Sequence, residues 1–197
     1  MTAVLAIDTA SPQWIAVAFG ETGCVARAIE LEAPRDQSRQ LLGLVESILA
    51  DAGRPDALAV VTGPGSFAGL RVGIATVRGI GVGRGVPVYG VPTLDAVRAV
   101  AGGGDAAVVH PMGRDMVAIR RGSGPVQVVP ASSLGESVAE LWGEGAALLG
   151  GTEVTSASRC GAALGLVLTD LDAGRSPGEP TALYLREPNI TKPRLSA

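Results

Sequence analysis

The sequence is poor in aromatics: Phe, Trp and Tyr together make up 3% of its 197 residues. A nucleic-acid surface built on stacking platforms, such as an RNP-type sheet, is therefore not expected. There is one histidine, His110. That closes off metal sites built on paired histidines, and leaves no second histidine in reserve for Ser-His or Cys-His catalysis. No metal and no cofactor are expected. The two cysteines, Cys24 and Cys160, lack a CxxC neighbour and read as free thiols rather than a disulfide framework. Net charge is −3 and the pI is about 5.2, so a broad basic phosphate-binding face is excluded. Any contact with RNA would run through a partner. Lys192 is the only lysine, which reads as compositional bias. No apolar run reaches the roughly 18 residues of a membrane span. Met1 to Ala10 has no basic n-region, and Asp8 interrupts its apolar run, so it does not read as a signal peptide. The expectation is a cytoplasmic protein.

Apolar residues are plentiful, at 47% against 18% charged, with a mean hydropathy of +0.34. A sizeable core can be buried. The 28 glycines are about twice the usual share. Ala3 to Asp8 is a short apolar run that predicts a buried strand ending in a carboxylate. Gln13 to Phe19 and Cys24 to Glu32 predict two more strands, joined by a hairpin at Gly20-Glu21-Thr22-Gly23. Asp36 or Ser38 is expected to cap a helix that runs to Ala52 and stops at Gly53. Leu41, Leu42, Val45, Ile48 and Leu49 follow its 3.6-residue period, and Leu44 widens the stripe, hinting at a second covered face. Ala57 to Val61 reads as an inner strand, Ser66 to Gly83 as a long helix, and Val86 to Tyr89 as a strand. Thr93 is expected to cap a helix to Ala101.

Ala101-Gly102-Gly103-Gly104 marks a joint between a first lobe, 1–101, and a shorter second lobe, 105–197. The second lobe predicts strands at Ala106–His110, Met116–Arg121, Val126–Val129 and Ala146–Leu149, and helices at Ser133–Trp142 and Ser158–Leu171. A last strand at Ala182–Leu185 precedes a polar tail. Three antiparallel strands, then helix, strand, helix, strand is the order of a ribonuclease-H-like lobe. Two such lobes, the second truncated, give an α/β architecture of the actin-like (ASKHA) type.

Three segments carry chemistry. Asp8, Thr9 and Ser11 follow a strand, where a carboxylate and hydroxyls can hold hydrated magnesium and phosphate. An Asx-type turn is the alternative. Gly63-Pro64-Gly65-Ser66 joins a buried strand to a helix N-terminus, which suits a phosphate cradle or a plain turn. It is not a Walker loop. The helix that follows carries Gly65, Gly69 and Gly73 at four-residue spacing, and Ala75, Gly79 and Gly83 on a second line. Each interior glycine costs about 1 kcal/mol against alanine. Close approach of a foreign helix would offset that cost; packing inside the chain's own domain is the alternative. Leu70, Ile74 and Val77 supply apolar contact, and Arg71 and Arg78 share a face. His110, before Pro111, reads as structural.

Gly63-Pro64-Gly65-Ser66-Phe67-Ala68-Gly69-Leu70-Arg71-Val72-Gly73 resembles the GPGSFTGLR(I/V)G signature of the bacterial TsaB (YeaZ) family. Leu5 to Ala10, Val88 to Leu94 and Tyr184-Leu185-Arg186 resemble other family segments. Ala68 replaces the usual Thr, Gln37 stands where many members carry His, and His110-Pro111-Met112 stands where many have Asp-Ala-Arg. The resemblance implies a non-catalytic partner of a TsaD-type transferase, which places threonylcarbamoyl on the tRNA adenosine next to the anticodon. A TsaE-type ATPase joins the assembly, and a homodimer forms when the chain is alone. The interface would be Leu41, Leu44, Val45, Ile48, Gly69, Leu70, Arg71, Gly73, Ile74, Val77 and Arg78. A bulky residue at Gly69 or Gly73 would then abolish pairing and spare the fold. The competing reading is a small actin-like phosphotransferase or ATPase using Asp8, Thr9, Ser11, Gly63, Gly65 and Ser66, a set that is vestigial under the first reading. No Ser-His constellation supports a protease.

Overall fold

The strand residues alternate large and small, and this sets the layers. On β1 (Ala3–Asp8), β2 (Trp14–Glu21) and β4 (Ala57–Val61), one face carries Leu5, Ile7, Ile15, Val17, Phe19, Leu58 and Val60. The other carries Val4, Ala6, Ala16, Ala18, Ala57, Ala59 and Val61. In this computed structural model, which describes residues 2–22, 24–113, 115–134, 140–177 and 180–185, each face takes helices that fit it. The large face packs on α1 (Gln37–Ala52) and α2 (Phe67–Arg84). The small face lets α4 (Ser156–Asp172) approach closely through Cys160, Ala163, Leu164, Val167 and Leu168.

The first sheet has the order β3-β2-β1-β4-β5, with β3 at Cys24–Glu32 and β5 at Val88–Val91. β1 pairs antiparallel with β2 (Leu5 opposite Phe19) and parallel with β4 (Leu5 opposite Leu58). The second sheet has the order β10-β9-β6-β7-β8, from β6 (Ala107–Gly113), β7 (Met116–Arg121), β8 (Gln127–Pro130), β9 (Leu141–Gly143) and β10 (Thr152–Glu153). Leu94 and Val97 of α3 (Thr93–Val100) pack on Val108 and Ala118 of this sheet, while α3 also lies beside α4. The result is the two-lobed α/β arrangement expected. The 101–104 joint separates the two sheets but not their helices: α3, before it, serves the second sheet, and α4, after it, serves the first. Gly102, Gly103 and Gly104 all have positive φ. Arg98 fixes the joint by donating to the Gly104 and Gly122 carbonyls.

Several local expectations are corrected. The strand placed at Val86–Tyr89 is Val88–Val91, because Gly85 ends α2 in the left-handed region and ladder pairing starts at Val88. Ala146–Leu149 is a 3-10 helix held between left-handed Gly145 and Gly150, not a strand. The helix at Ser133–Trp142 is replaced at its ends by a 3-10 helix, Ala131–Leu134, and by β9; residues 135–139 lie outside the described set. Ala182–Leu185 makes no ladder, and only the Leu183 N–H reaches the sheet, at the Thr62 carbonyl. Asp36 occupies the N-cap of α1 without a side-chain cap bond. Thr93 does not cap α3: Pro92 holds that position and the Thr93 hydroxyl has no partner among the described residues. Arg186 and the tail beyond lie outside the described residues. Among the described residues, no helix is long and apolar enough to cross a membrane.

Candidate functional site

The strand ends of the two sheets meet at a buried polar cluster. Asp8 closes β1, and Glu144 follows β9. Arg159 reaches between them from the first turn of α4, with its side chain fully buried. Its Nε donates to Asp8 Oδ2 at 2.6 Å, Nη1 to Glu144 Oε2 at 3.0 Å, and Nη2 to Ser156 Oγ at 3.1 Å. The second Asp8 oxygen accepts the Ala10 N–H at 2.8 Å. His110 Nδ1 lies 3.5 Å from Arg159 Nη1, and its Nε2 lies 3.4 Å from the Ala10 carbonyl. These partners assign the proton to Nε2.

Burial acts on each group in turn. It would by itself lower the Arg159 pKa, but the charges of Asp8 and Glu144, and the hydrogen bonds to both, outweigh it and hold the guanidinium charged above its ordinary range. Burial, then the Arg159 charge, lowers His110 from 6.5 to about 3, against the Asp8 charge and the Ala10 carbonyl. The imidazole is thus neutral. Burial also pushes the Cys160 thiol well above its ordinary range.

The polar groups of Asp8, Thr9, Ser11 and Ser66 are engaged by other parts of the chain: Asp8 by Arg159 and Ala10, Thr9 by Gly69, Ser11 by Glu144, and Ser66 by Ala10 and Gly69. The Ser66 N–H donates to the Ala10 carbonyl at 2.7 Å. Ser66 Oγ caps α2 by accepting the Gly69 N–H. Gly63 sits at φ 110°, and a Cβ there would lie 2.7 Å from the Leu183 carbonyl oxygen. A Cβ at Gly65 would lie 2.6 Å from the Ala10 carbonyl oxygen. The chain's own carbonyls thus lie against Gly63 and Gly65, and the Ser66 N–H is already bonded.

Thr9 accounts for Gly69 and Gly73 of α2. Its hydroxyl donates to the Gly69 carbonyl at 2.7 Å, and a Cβ at Gly69 or Gly73 would collide with Thr9. This glycine line therefore admits an internal threonine, and no foreign helix. Leu41, Leu44, Val45, Ile48, Ile74 and Val77 pack in the core under α1 and α2, and Leu70 in the core on the other face. The hint of a second use for Leu44 is corrected on the same ground. A bulky Gly73 variant would test the fold, not pairing.

The second line, Ala75, Gly79 and Gly83, faces outward. A Cβ at Gly79, Gly83 or Gly43 would meet nothing within 4 Å. Val82 is 87% exposed and Leu42 52%. Arg71 is exposed and stacks on Phe67, 4.1 Å from its centroid. Phe67 meets Tyr184 at 4.5 Å. Arg78 donates to the Pro180 carbonyl at 2.9 Å. Sequence reasoning missed Gly43 and Val82, although 3.6-residue spacing sets both opposite the core stripes. It also missed Arg159, which falls on the buried stripe Ser156, Arg159, Cys160, Ala163, Leu164. A charge on such a stripe requires a buried partner.

Comparisons with known proteins match this chain in part by sequence and nearly throughout by fold. The TsaD family profile, tRNA N6-adenosine threonylcarbamoyltransferase, matches residues 30–122. The tRNA threonylcarbamoyladenosine biosynthesis protein TsaB of Escherichia coli is 40% identical over 95 residues, which span 46% of this chain and 40% of that protein. The chain is thus similar to TsaB (YeaZ) proteins over about half of its length. TsaB of Haemophilus influenzae is 36% identical over 102 residues, spanning 50% of this chain and 42% of that protein. The chain thus spans about two fifths of the length of these two TsaB relatives. The structure of YeaZ from Pseudomonas aeruginosa superposes with a TM-score of 0.69 over 94% of this chain and 100% of that one, at 23% identity. That match speaks for the TsaB fold. The 30–122 match takes in α1 and α2 but stops short of Glu144 and Arg159.

Proposed function

We propose that this chain is a TsaB-type, non-catalytic accessory subunit of tRNA threonylcarbamoyladenosine biosynthesis, docking a TsaD-type transferase through the outer face of α1 and α2. The observation that carries the reading is the exposure of Ala75, Gly79, Val82 and Gly83 on α2 and of Leu42 and Gly43 on α1, two helices that pack side by side. Small residues on two adjacent helices let a partner's helices approach closely. Arg71 and Arg78 border this face and suit carboxylates on the partner. A TsaE-type ATPase joins the complex, and a second copy of the chain takes the same face when no partner is present. The net charge of −3 supports contact with tRNA only through the partner, and the process places the chain in the cytoplasm. The phosphotransferase reading has no open carboxylate: both Asp8 oxygens are engaged inside the molecule.

The test is size-exclusion chromatography with light scattering, with and without the TsaD-type transferase. Gly79→Leu and Val82→Arg are expected to abolish the complex without lowering the melting temperature. Normal assembly by both variants would overturn the docking face. A complex of this chain only with itself would overturn the transferase as its occupant.

A further inference from the structure

Loops run over protein surfaces because buried backbone polar groups are hard to satisfy. The turn after β1 breaks that pattern. Asp8, Thr9, Ala10 and Ser11 are each fully buried, and their polar groups point in two directions. Toward the second sheet and α4, Asp8 holds Arg159, Ser11 Oγ donates to Glu144 Oε1 at 2.7 Å, and the Ala10 carbonyl faces His110. Toward the outer helices, Thr9 donates to the Gly69 carbonyl, the Ala10 carbonyl accepts the Ser66 N–H, and Gln37 Nε2 donates to the Ser11 carbonyl at 2.7 Å. Gln37 opens α1, and Ser66 opens α2. Four residues thus touch both sides of the first sheet and the second sheet, and the Ala10 carbonyl serves both directions.

The carboxyl ends of strands in open α/β sheets are where ligands usually bind. Here the occupant is a side chain, the Arg159 guanidinium. Buried polar networks that are fully satisfied respond as units. We infer that Arg159 acts as a built-in ligand of the inter-sheet polar cluster, and that the Asp8–Ser11 turn couples this clasp to the seating of the first turns of α1 and α2. The arrangement of the outer helices then depends on the cluster, and the chain sets it without taking up a small molecule. The inference concerns the isolated chain and stands apart from the docking reading.

The test is amide hydrogen exchange followed by mass spectrometry on the full chain. Glu144→Gln removes one charge of the clasp and keeps an acceptor. The double variant Asp8→Asn/Arg159→Met removes both buried charges, so neither is stranded. Both are expected to speed exchange about tenfold in 37–41 and 66–73, with 48–52 and 79–84 at wild-type rates. Coupling is reciprocal, so Thr9→Val, which alters the contact with α2, is expected to speed exchange at 107–110 and 156–160. The inference is overturned if the clasp variants loosen only 107–110 and 156–160, or if Thr9→Val acts on α2 alone. Uniform loss of protection across both sheets would also overturn it, since the clasp would then be general stabilisation.

Discussion

Arg159 shows what a single buried charge demands. Truncating it alone strands the Asp8 carboxylate away from water, and Arg159→Met is expected to cost about 3–5 kcal/mol in urea unfolding. The double variant Asp8→Asn/Arg159→Met is expected to cost less than Arg159→Met by itself, because the fully buried Asp8 carboxylate is no longer left unpaired. His110 gives a pH signature. Its folded pKa, about 3, lies below its ordinary 6.5. Between those values the unfolded chain binds a proton that the folded chain refuses. Stability is therefore complete above the upper value and falls by about 1.4 kcal/mol per unit as pH drops through the window. Asp8, Glu144 and Arg159 are the charged groups facing the ring. His110→Asn should lower the slope of stability against pH by one proton, measured by denaturation at pH 4 to 7; an unchanged slope would place the protonation elsewhere. Residue types were legible in the sequence at this scale, and Asp8 stood out beside its hydroxyls. Its partner did not, because Arg159 lies 151 positions away.

Among the helices, α2 separates what spacing can and cannot tell. The sequence divides its small residues into two lines, and the structure keeps that division. Which line faces outward depends on Thr9, which arrives from a turn 60 residues earlier. Gly79→Ala adds a methyl to open space in a helix interior and is expected to raise stability by about 0.5–1 kcal/mol. Gly69→Ala drives a methyl into the Thr9 carbonyl and is expected to lower it by about 3 kcal/mol. Paired thermal melts of the two variants check both signs. The same contrast explains which elements were readable. α1, β4 and α2 announce themselves by period and by bounding glycines or prolines. Between 131 and 149 the described residues form a 3-10 helix, a three-residue strand and a second 3-10 helix, the last held between left-handed glycines. Elements that short have no period to read.

Across the whole molecule, the decisive packing is between the two ends of the chain. The small-residue face of the first sheet is covered by α4, and Ala157 N–H bonds Glu30 of β3. The alternation Ala6, Ala16, Ala18, Ala57, Ala59 held that signal in the sequence, since so small a face calls for a closely packed helix. A chain ended at Val154 is expected to lose cooperative unfolding and to aggregate, with far-UV circular dichroism and light scattering as the checks. Retention of a sharp transition would show that the first sheet folds without α4.

This closure by α4 bears on how the protein is made. A ribosome releases the strands of the first sheet long before residues 156–172, which cover that sheet's alanine-rich side. Through most of synthesis the nascent chain carries an apolar surface with no cover, so native packing of the first half must wait for translation of the last third. Contacts between residues so distant in sequence also slow folding, which makes this chain a natural client for chaperones that shield emerging polypeptides.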